Sequence, residues 1–309
     1  MSAVPKQSTM IRRRALRARA PLARLLLLLA AAAATMLPLA TAAHAQSTKI
    51  FVASYGNDAS DGSRGSPKRN FQAAHDAVAA GGEIVVLDTA GYGALSITKS
   101  VAVTVPPGVN GFVTVSGDAS GININSGFGS VVSLRGLIIE GGGANNFGPG
   151  VQMGQGTLYL DDCLIRNFNL GVYANAGNTS NAVIAVVGRN VQMRNCYTGF
   201  GGDASGNSVG MVLTDCVAAG GTVGVLGGTN GVANTFLQIT LTRCTLTGDG
   251  TAITSNGPFS TIYVDTCTVS ANATGLSTSS GGQIVTRGNN TFIDNYQGDG
   301  SFTGTLSAK

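Results

Sequence analysis

The sequence predicts an all-β solenoid of about 8 to 10 short coils, closed at its N-terminal end by one short helix. Three observations carry this expectation. The 309 residues include 45 glycines, no tryptophan and only 11% charged residues, and stretches with helical periodicity are almost absent. Four segments repeat one pattern: apolar, x, apolar, x, x, Cys, x, apolar, five residues, Gly, apolar. Their cysteines lie 53, 28 and 23 residues apart, the 53 spanning one more unit, a period of about 23 to 28 residues with fixed apolar positions, as stacked coils with variable loops require.

The front of the chain stands apart. Residues 12 to 24 hold six arginines and no acid, residues 25 to 37 form an apolar run rich in Leu and Ala, and Ala43-His44-Ala45 offers small residues at the −3 and −1 positions of a cleavage site. This is the pattern of a secretory signal peptide over residues 1–45. A membrane anchor would need about 18 to 20 apolar residues, and the run breaks at Pro38. Arg12-Arg13-Arg14-Ala15-Leu16-Arg17 also fits a twin-arginine signal loosely, so the secretion route stays open.

Cleavage after Ala45 removes seven basic residues and no acid, leaving 12 basic against 15 acidic and turning a formal charge of +4 into −3. A mildly acidic chain with scattered charges has no basic stripe to follow phosphates, which excludes nucleic acid as the partner. No later apolar run is long enough to span a bilayer. The expectation is a secreted or periplasmic monomer with no membrane span after cleavage.

Residues 46–83 are expected to hold a first strand, a loop and the capping helix. The strand covers residues 50 to 54, and the polar run from Tyr55 to Asn70 reads as a turn-rich loop. In the next segment Phe71, Ala74, Ala77 and Val78 share a helical face, with Asn70 as N-cap and Gly81 as the stop. Such a helix would cover the open end of the solenoid, where backbone and apolar side chains would otherwise be unpaired.

Residues 84–309 are expected to form the coils. The first copy of the repeat runs Leu158, Leu160, Cys163, Ile165, Gly171, Val172; the others centre on Cys216, Cys244 and Cys267. A further unit is hidden between the first two, because Met193-Arg194-Asn195-Cys196 matches Ile165-Arg166-Asn167-Phe168, which puts Cys196 outside the main cysteine column. Leu158 and Leu160 alternate with period two, as in a strand with one buried face. The alternation slips across Asp161-Asp162 and resumes at Cys163, which predicts a bend there. Polar, glycine-rich stretches such as residues 174–182 and 201–208 are loops.

In this frame the cysteines are inward-facing free thiols stacked in line, at about the 4.8 Å strand spacing for neighbouring coils. Parallel Cα–Cβ vectors suit stacking better than a disulfide. Zinc is a poor fit, since a linear column cannot supply four tetrahedral ligands.

The stretch FVASYGNDASDGSRGSPKRNFQAAHDAVAAGGEIVVLD resembles the start of many exported right-handed parallel β-helix proteins of the pectin lyase-like superfamily. In those, an extended strand, a Gly-x-Asp loop and a capping helix lead into the coils. The resemblance implies a right-handed parallel β-helix over nearly the whole mature chain. Of the polygalacturonase pattern of Asn-x-Asp, Asp-Asp, Gly-His-Gly and Arg-x-Lys, only Asp161-Asp162 is present, and hydrolysis needs two carboxyls facing across the substrate.

Two functions of different class follow. The first is a non-catalytic exported β-helix whose loops bind a polysaccharide or another surface, the partner being an acidic polysaccharide or cell-surface glycan. It needs no cofactor and no metal. The second is a polysaccharide lyase or uronan epimerase, which would require calcium held by carboxylates and an arginine or lysine base. Candidate binding residues are Asp161, Asp162 and Asp215 beside the cysteine column, Arg166 and Arg194 in one column of consecutive coils, and the outward Tyr159 and Tyr263. A solvated ladder with a stacked Asp215–Arg243 pair is the plainer reading of the charged set. Tyr173, Asn145-Asn146, Asn175 and Asn178 are further loop or strand candidates. Asn178-Thr179-Ser180 and Asn272-Ala273-Thr274 match the N-glycosylation pattern.

Overall fold

A computed structural model describes residues 47–142, 148–175, 183–206, 208–232 and 235–306. The expected signal peptide, Asn145-Asn146 and the sequon at Asn178 lie outside them.

The coil Ser260–Asp265, Thr268–Ser270, Thr274–Ser279 shows the repeating unit: a long strand, a short one and a second long one. Each strand pairs in parallel with its counterpart in the next coil, Ile262 opposite Ile284 for instance. Three parallel sheets result, here called first, second and third in chain order around the coil. Among the described residues the second has nine strands, and the solenoid makes about seven turns, slightly fewer than expected. The chain therefore has the parallel β-helix architecture that the repeat and the resemblance imply.

Burial alternates along the strands as the period-two pattern requires. Ile262 and Val264 point into the core, while Tyr263 and Asp265 point outward. The slip at Asp161-Asp162 is the first corner of the coil, turned by one residue in the left-handed region: Asp162, Asn190, Asp215, Arg243 and Thr266 all have φ between 52 and 55°. One such residue reverses which side chains face inward. The second corner works the same way, through Asn167, Asn195, Gly220, Gly248 and Ala271.

All five cysteines are buried and free. Cys216, Cys244 and Cys267 occupy consecutive coils. Val191 fills the rung between Cys163 and Cys216, because Leu164 pairs with Gln192 and Gln192 with Val217. Burial pushes the Cys163 thiol up to about 12. Cys196 follows the second corner in line with Phe168, Gly221, Asp249, Asn272 and Asn295, a column that turns from apolar to polar. Asn272, the first residue of the second sequon, is fully buried there, its amide bonded inside the fold.

The capping helix spans Phe71–Ala77, and its Phe71 ring lies 5.1 Å from that of Tyr92. Two details differ from expectation. Asn70 stands at the N-cap but makes no capping bond; its side chain donates to Asp58 Oδ2 at 2.6 Å instead. The helix stops at Ala77 rather than at Gly81, because Val78 is already extended and begins the strand Val78–Val86, which pairs with Ser47–Val52. Among the described residues no helix is long and apolar enough to cross a membrane.

Candidate functional site

The sequence-derived candidates fall on three different surfaces. Tyr159, Asp161 and Tyr263 face outward from the first sheet, Asp162 and Asp215 turn the first corner, and Arg166 and Arg194 lie on the second sheet. Arg166 and Arg194 are paired in consecutive coils as expected. Tyr159 and Tyr263 do share a column, with Val187, Val212 and Thr240 between them, so they form no common platform.

Each carboxylate is held by an arginine of a neighbouring coil. Arg189 Nη2 lies 2.8 Å from Asp161 Oδ1, and Arg135 Nε 3.6 Å from Asp162 Oδ2. Asn190 also donates to Asp162 Oδ1 at 2.9 Å. Arg243 binds Asp215 through both oxygens, at 2.8 and 2.9 Å, the stacked pair foreseen from the spacing. That hydrogen bond holds the Asp215 carboxyl below its usual range. Arg166 Nη2 is bonded to Glu140 Oε2 at 3.0 Å, and among the described residues the Arg194 side chain bonds only to Gln192 of its own strand. The acid edge and the arginine pair thus do not converge on one point.

Tyr173 and Asn175 sit on the third sheet, where Asn175 Nδ2 donates to the Tyr173 hydroxyl at 2.9 Å. Asp203 Oδ2 lies 3.4 Å from both. Burial raises the Tyr173 phenol above its ordinary value.

Calcium chemistry of the lyase kind needs several oxygen ligands around one ion. Among the described residues no group of three or more His, Cys, Asp or Glu is placed to hold a metal. Asp161, Asp162 and Asp215 are engaged by three different arginines and do not fit the role.

A second arrangement was not among the candidates, apart from Tyr263. On the outer face of the first sheet, the strands Leu237–Thr242, Ser260–Asp265 and Gln283–Thr286 line an open cavity of about 320 Å³. Its walls include Gln238, Thr240, Thr242, Tyr263, Asp265 and Arg287, and Leu306 closes one side. Register explains the grouping: Thr240 is opposite Tyr263, Tyr263 opposite Val285, and Thr242 opposite Asp265. Leu306 is brought in by Gly304–Thr305, which adds a last short strand beside Val285 and Thr286. Phe236 and Phe259, 57% and 42% exposed, continue the outward face past Gln238 in adjacent coils. Arg287 is exposed and has no ion-pair partner among the described residues. Its signal in the sequence was hidden by one extra residue: Arg287-Gly288-Asn289 stands where the previous coil has only Asp265-Thr266, so the repeat loses step.

A β-helix with an open lateral groove is the class these features define. No protein-family model and no curated relative matches the sequence. Solved structures with a similar fold include a GH136 lacto-N-biosidase from Eubacterium ramulus, 12% identical with a TM-score of 0.46, over 84% of this chain and 67% of that one. XylC in complex with xylose is 8% identical with a TM-score of 0.48, over 79% and 69%. The pectate lyase Pel9A is 16% identical with a TM-score of 0.44, over 84% and 78%. Likeness at this level concerns the fold alone.

Proposed function

We propose that the protein is an exported β-helix that binds an acidic polysaccharide, without cleaving it, in the groove on the outer face of the last coils of the first sheet. The observation that carries this reading is Arg287, an exposed cation with no carboxylate partner among the described residues, at the end of an open groove that also holds Tyr263. A guanidinium matches the planar carboxylate of a uronic acid, with two parallel N–H donors. The Tyr263 ring offers an apolar flank for a sugar ring. Gln238, Thr240, Thr242 and Asp265 can exchange hydrogen bonds with hydroxyls, a few polar groups fixing orientation. Asp161, Asp162, Arg166, Arg194, Asp215 and Tyr159 do not line this groove and have no part in this reading.

Calorimetric titration with oligogalacturonate, oligomannuronate and a neutral xylo-oligosaccharide tests this reading. An acidic oligomer should bind, and Arg287→Ser should weaken it by about tenfold, the loss of one charged contact. Equal binding of the neutral oligomer, or an affinity untouched by the substitution, would remove the proposal. A calcium-dependent rise in ultraviolet absorbance on pectate or alginate would replace it with lyase chemistry.

A further inference from the structure

The buried polar column at the second corner changes chemistry halfway along. Asn295 Oδ1 accepts the Asn272 backbone N–H at 3.1 Å, and its Nδ2 donates to the Val269 carbonyl at 3.1 Å. Asn272 repeats both bonds one coil earlier: Oδ1 accepts the Asp249 N–H at 2.9 Å, and Nδ2 donates to the Leu246 carbonyl at 3.0 Å. Asp249 takes the next rung and repeats the first bond, its Oδ1 accepting the Gly221 N–H at 2.7 Å. The second bond is missing. Asp249 Oδ2 stands where the asparagines carry their amide nitrogen, and it is buried with no hydrogen-bond partner among the described residues.

Register identifies the carbonyl it should meet. Val269 pairs with Leu246, and Leu246 with Ala218, so the counterpart is the Ala218 carbonyl. An ionised Oδ2 and a carbonyl oxygen are both acceptors and repel each other; a proton on Oδ2 converts the opposition into a hydrogen bond. The site is closed, since Asp249 is 3% exposed. Glycine at 224 leaves the room it needs: a Cβ there would lie 2.7 Å from Oδ2.

We propose that Asp249 acts as a neutral acid in the folded protein, its Oδ2–H donating to the Ala218 carbonyl, so that this coil is tightened in mild acid and loosened as the proton leaves. Burial pushes the carboxyl up to about 6, opposed by the Gly221 N–H. Along the column the nearest titratable group on the Gly221 side is Cys196, whose thiol burial holds up at about 11, so it stays neutral throughout. On the other side Asn272 carries no charge, and Asp299 is reached only through Asn295. Gly224, Leu246 and Ala218, on the strands packed around the carboxyl, do not titrate.

The sign of the effect follows from linkage. The folded carboxyl titrates near 6 and the ordinary value is 3.8, so between those values the folded state binds more protons. Asp249's contribution to stability is fully present below the lower value and is lost as pH rises through the upper one.

Thermal unfolding of the wild type and Asp249→Asn across pH 4 to 8 reads this directly, and the difference between the two profiles cancels the other titrating groups. The amide should supply the missing donor at every pH. The variant should therefore melt several degrees above the wild type at pH 8, and the gap should shrink as pH falls through about 6. A constant gap, a variant less stable at pH 8, or a variant that does not fold would each overturn the proposal. Hydrogen exchange adds a local reading: the Gly221 and Asp249 amides should exchange more slowly at pH 5 than at pH 8 after correction for intrinsic rates, in the wild type alone. Equal protection at both pH values would count against it.

Discussion

Arg243 binds Asp215 across one coil through both carboxylate oxygens, Nε to Oδ1 at 2.8 Å and Nη2 to Oδ2 at 2.9 Å. Both residues turn the same corner in the left-handed region, at φ 54 and 55°. Stacking of corners, and not a ligand, explains the pair: the same backbone turn in adjacent coils projects both side chains from one line, one strand spacing apart. The pair is open to water, so its net contribution is small. Arg243→Ala is expected to shift the melting temperature by no more than about 2 °C, while the Asp215 carboxyl returns towards its ordinary titration range. Carbon-detected NMR titration follows that carboxyl. A large loss of stability with Asp215 unmoved would show that the corner and not the ion pair had been disturbed.

Inward and outward positions should differ sharply in what they tolerate. Leu160 is fully buried between coils, and Leu160→Ala should lower stability by about 2 to 5 kcal/mol through lost contacts and a cavity. Among the described residues the exposed Arg194 side chain bonds only to Gln192 on its own strand, so Arg194→Ser should stay within about 0.5 kcal/mol. Urea unfolding of both variants measures the contrast, and comparable losses would contradict the assignment of faces.

The thiol column makes a chemical prediction. Cys163, Cys196, Cys216, Cys244 and Cys267 are all buried and unpaired, so none should react with an alkylating reagent in the native state and all five should react once the chain is unfolded without reductant. Thiolates are the reactive form; burial disfavours them at Cys163 and Cys196 and contacts with neighbouring thiols do so at Cys244 and Cys267, whereas the contact with Cys244 lowers Cys216, whose protection rests on its being closed off from the reagent. Mass spectrometry counts the labels; one lasting disulfide would mean that neighbouring rungs can rotate towards each other.

The sequence made the inward positions legible because a repeat fixes them. The period-two pairs, the cysteine line and the slip at Asp161-Asp162 are each consequences of one residue type recurring at one place in the coil. Val191 was not legible as a member of that line, since nothing but register distinguishes it from any other valine. The partners of the candidate carboxylates were hidden for the same reason. Arg189 and Arg135 meet Asp161 and Asp162 only after the chain has travelled a full coil, and the loop lengths that set that register carry no pattern. The end of the helix was misplaced because Ala79 and Ala80 are good helix formers, while the pairing of Val78–Val86 with the first strand prevails.

The N-terminal helix does more than cover the core. The strand Leu95–Ile97 is the first of the third sheet, and its outer edge would present unpaired N–H groups with no earlier strand to accept them. Two side chains of the helix take that place. The Ser96 N–H donates to Gln72 Oε1 at 2.9 Å, and the Thr98 N–H donates to His75 Nε2 at 3.2 Å. Because Nε2 accepts, the ring proton lies on Nδ1, which faces Asp76 Oδ1 at 3.2 Å. His75 is itself 2% exposed, so removing its ring strands a backbone donor and opens a gap together. His75→Ala should cost about 1 to 3 kcal/mol for the unpaired group, with a further loss for the void. Gln72→Ala should cost less, because that side chain is nearer water. Hydrogen exchange separates this local role from general damage: the Ser96 and Thr98 amides should lose protection while Ile262 and Leu241, several coils away, keep theirs. Uniform loss across the solenoid would mean that the helix stabilises the whole stack cooperatively and not by standing in for a strand.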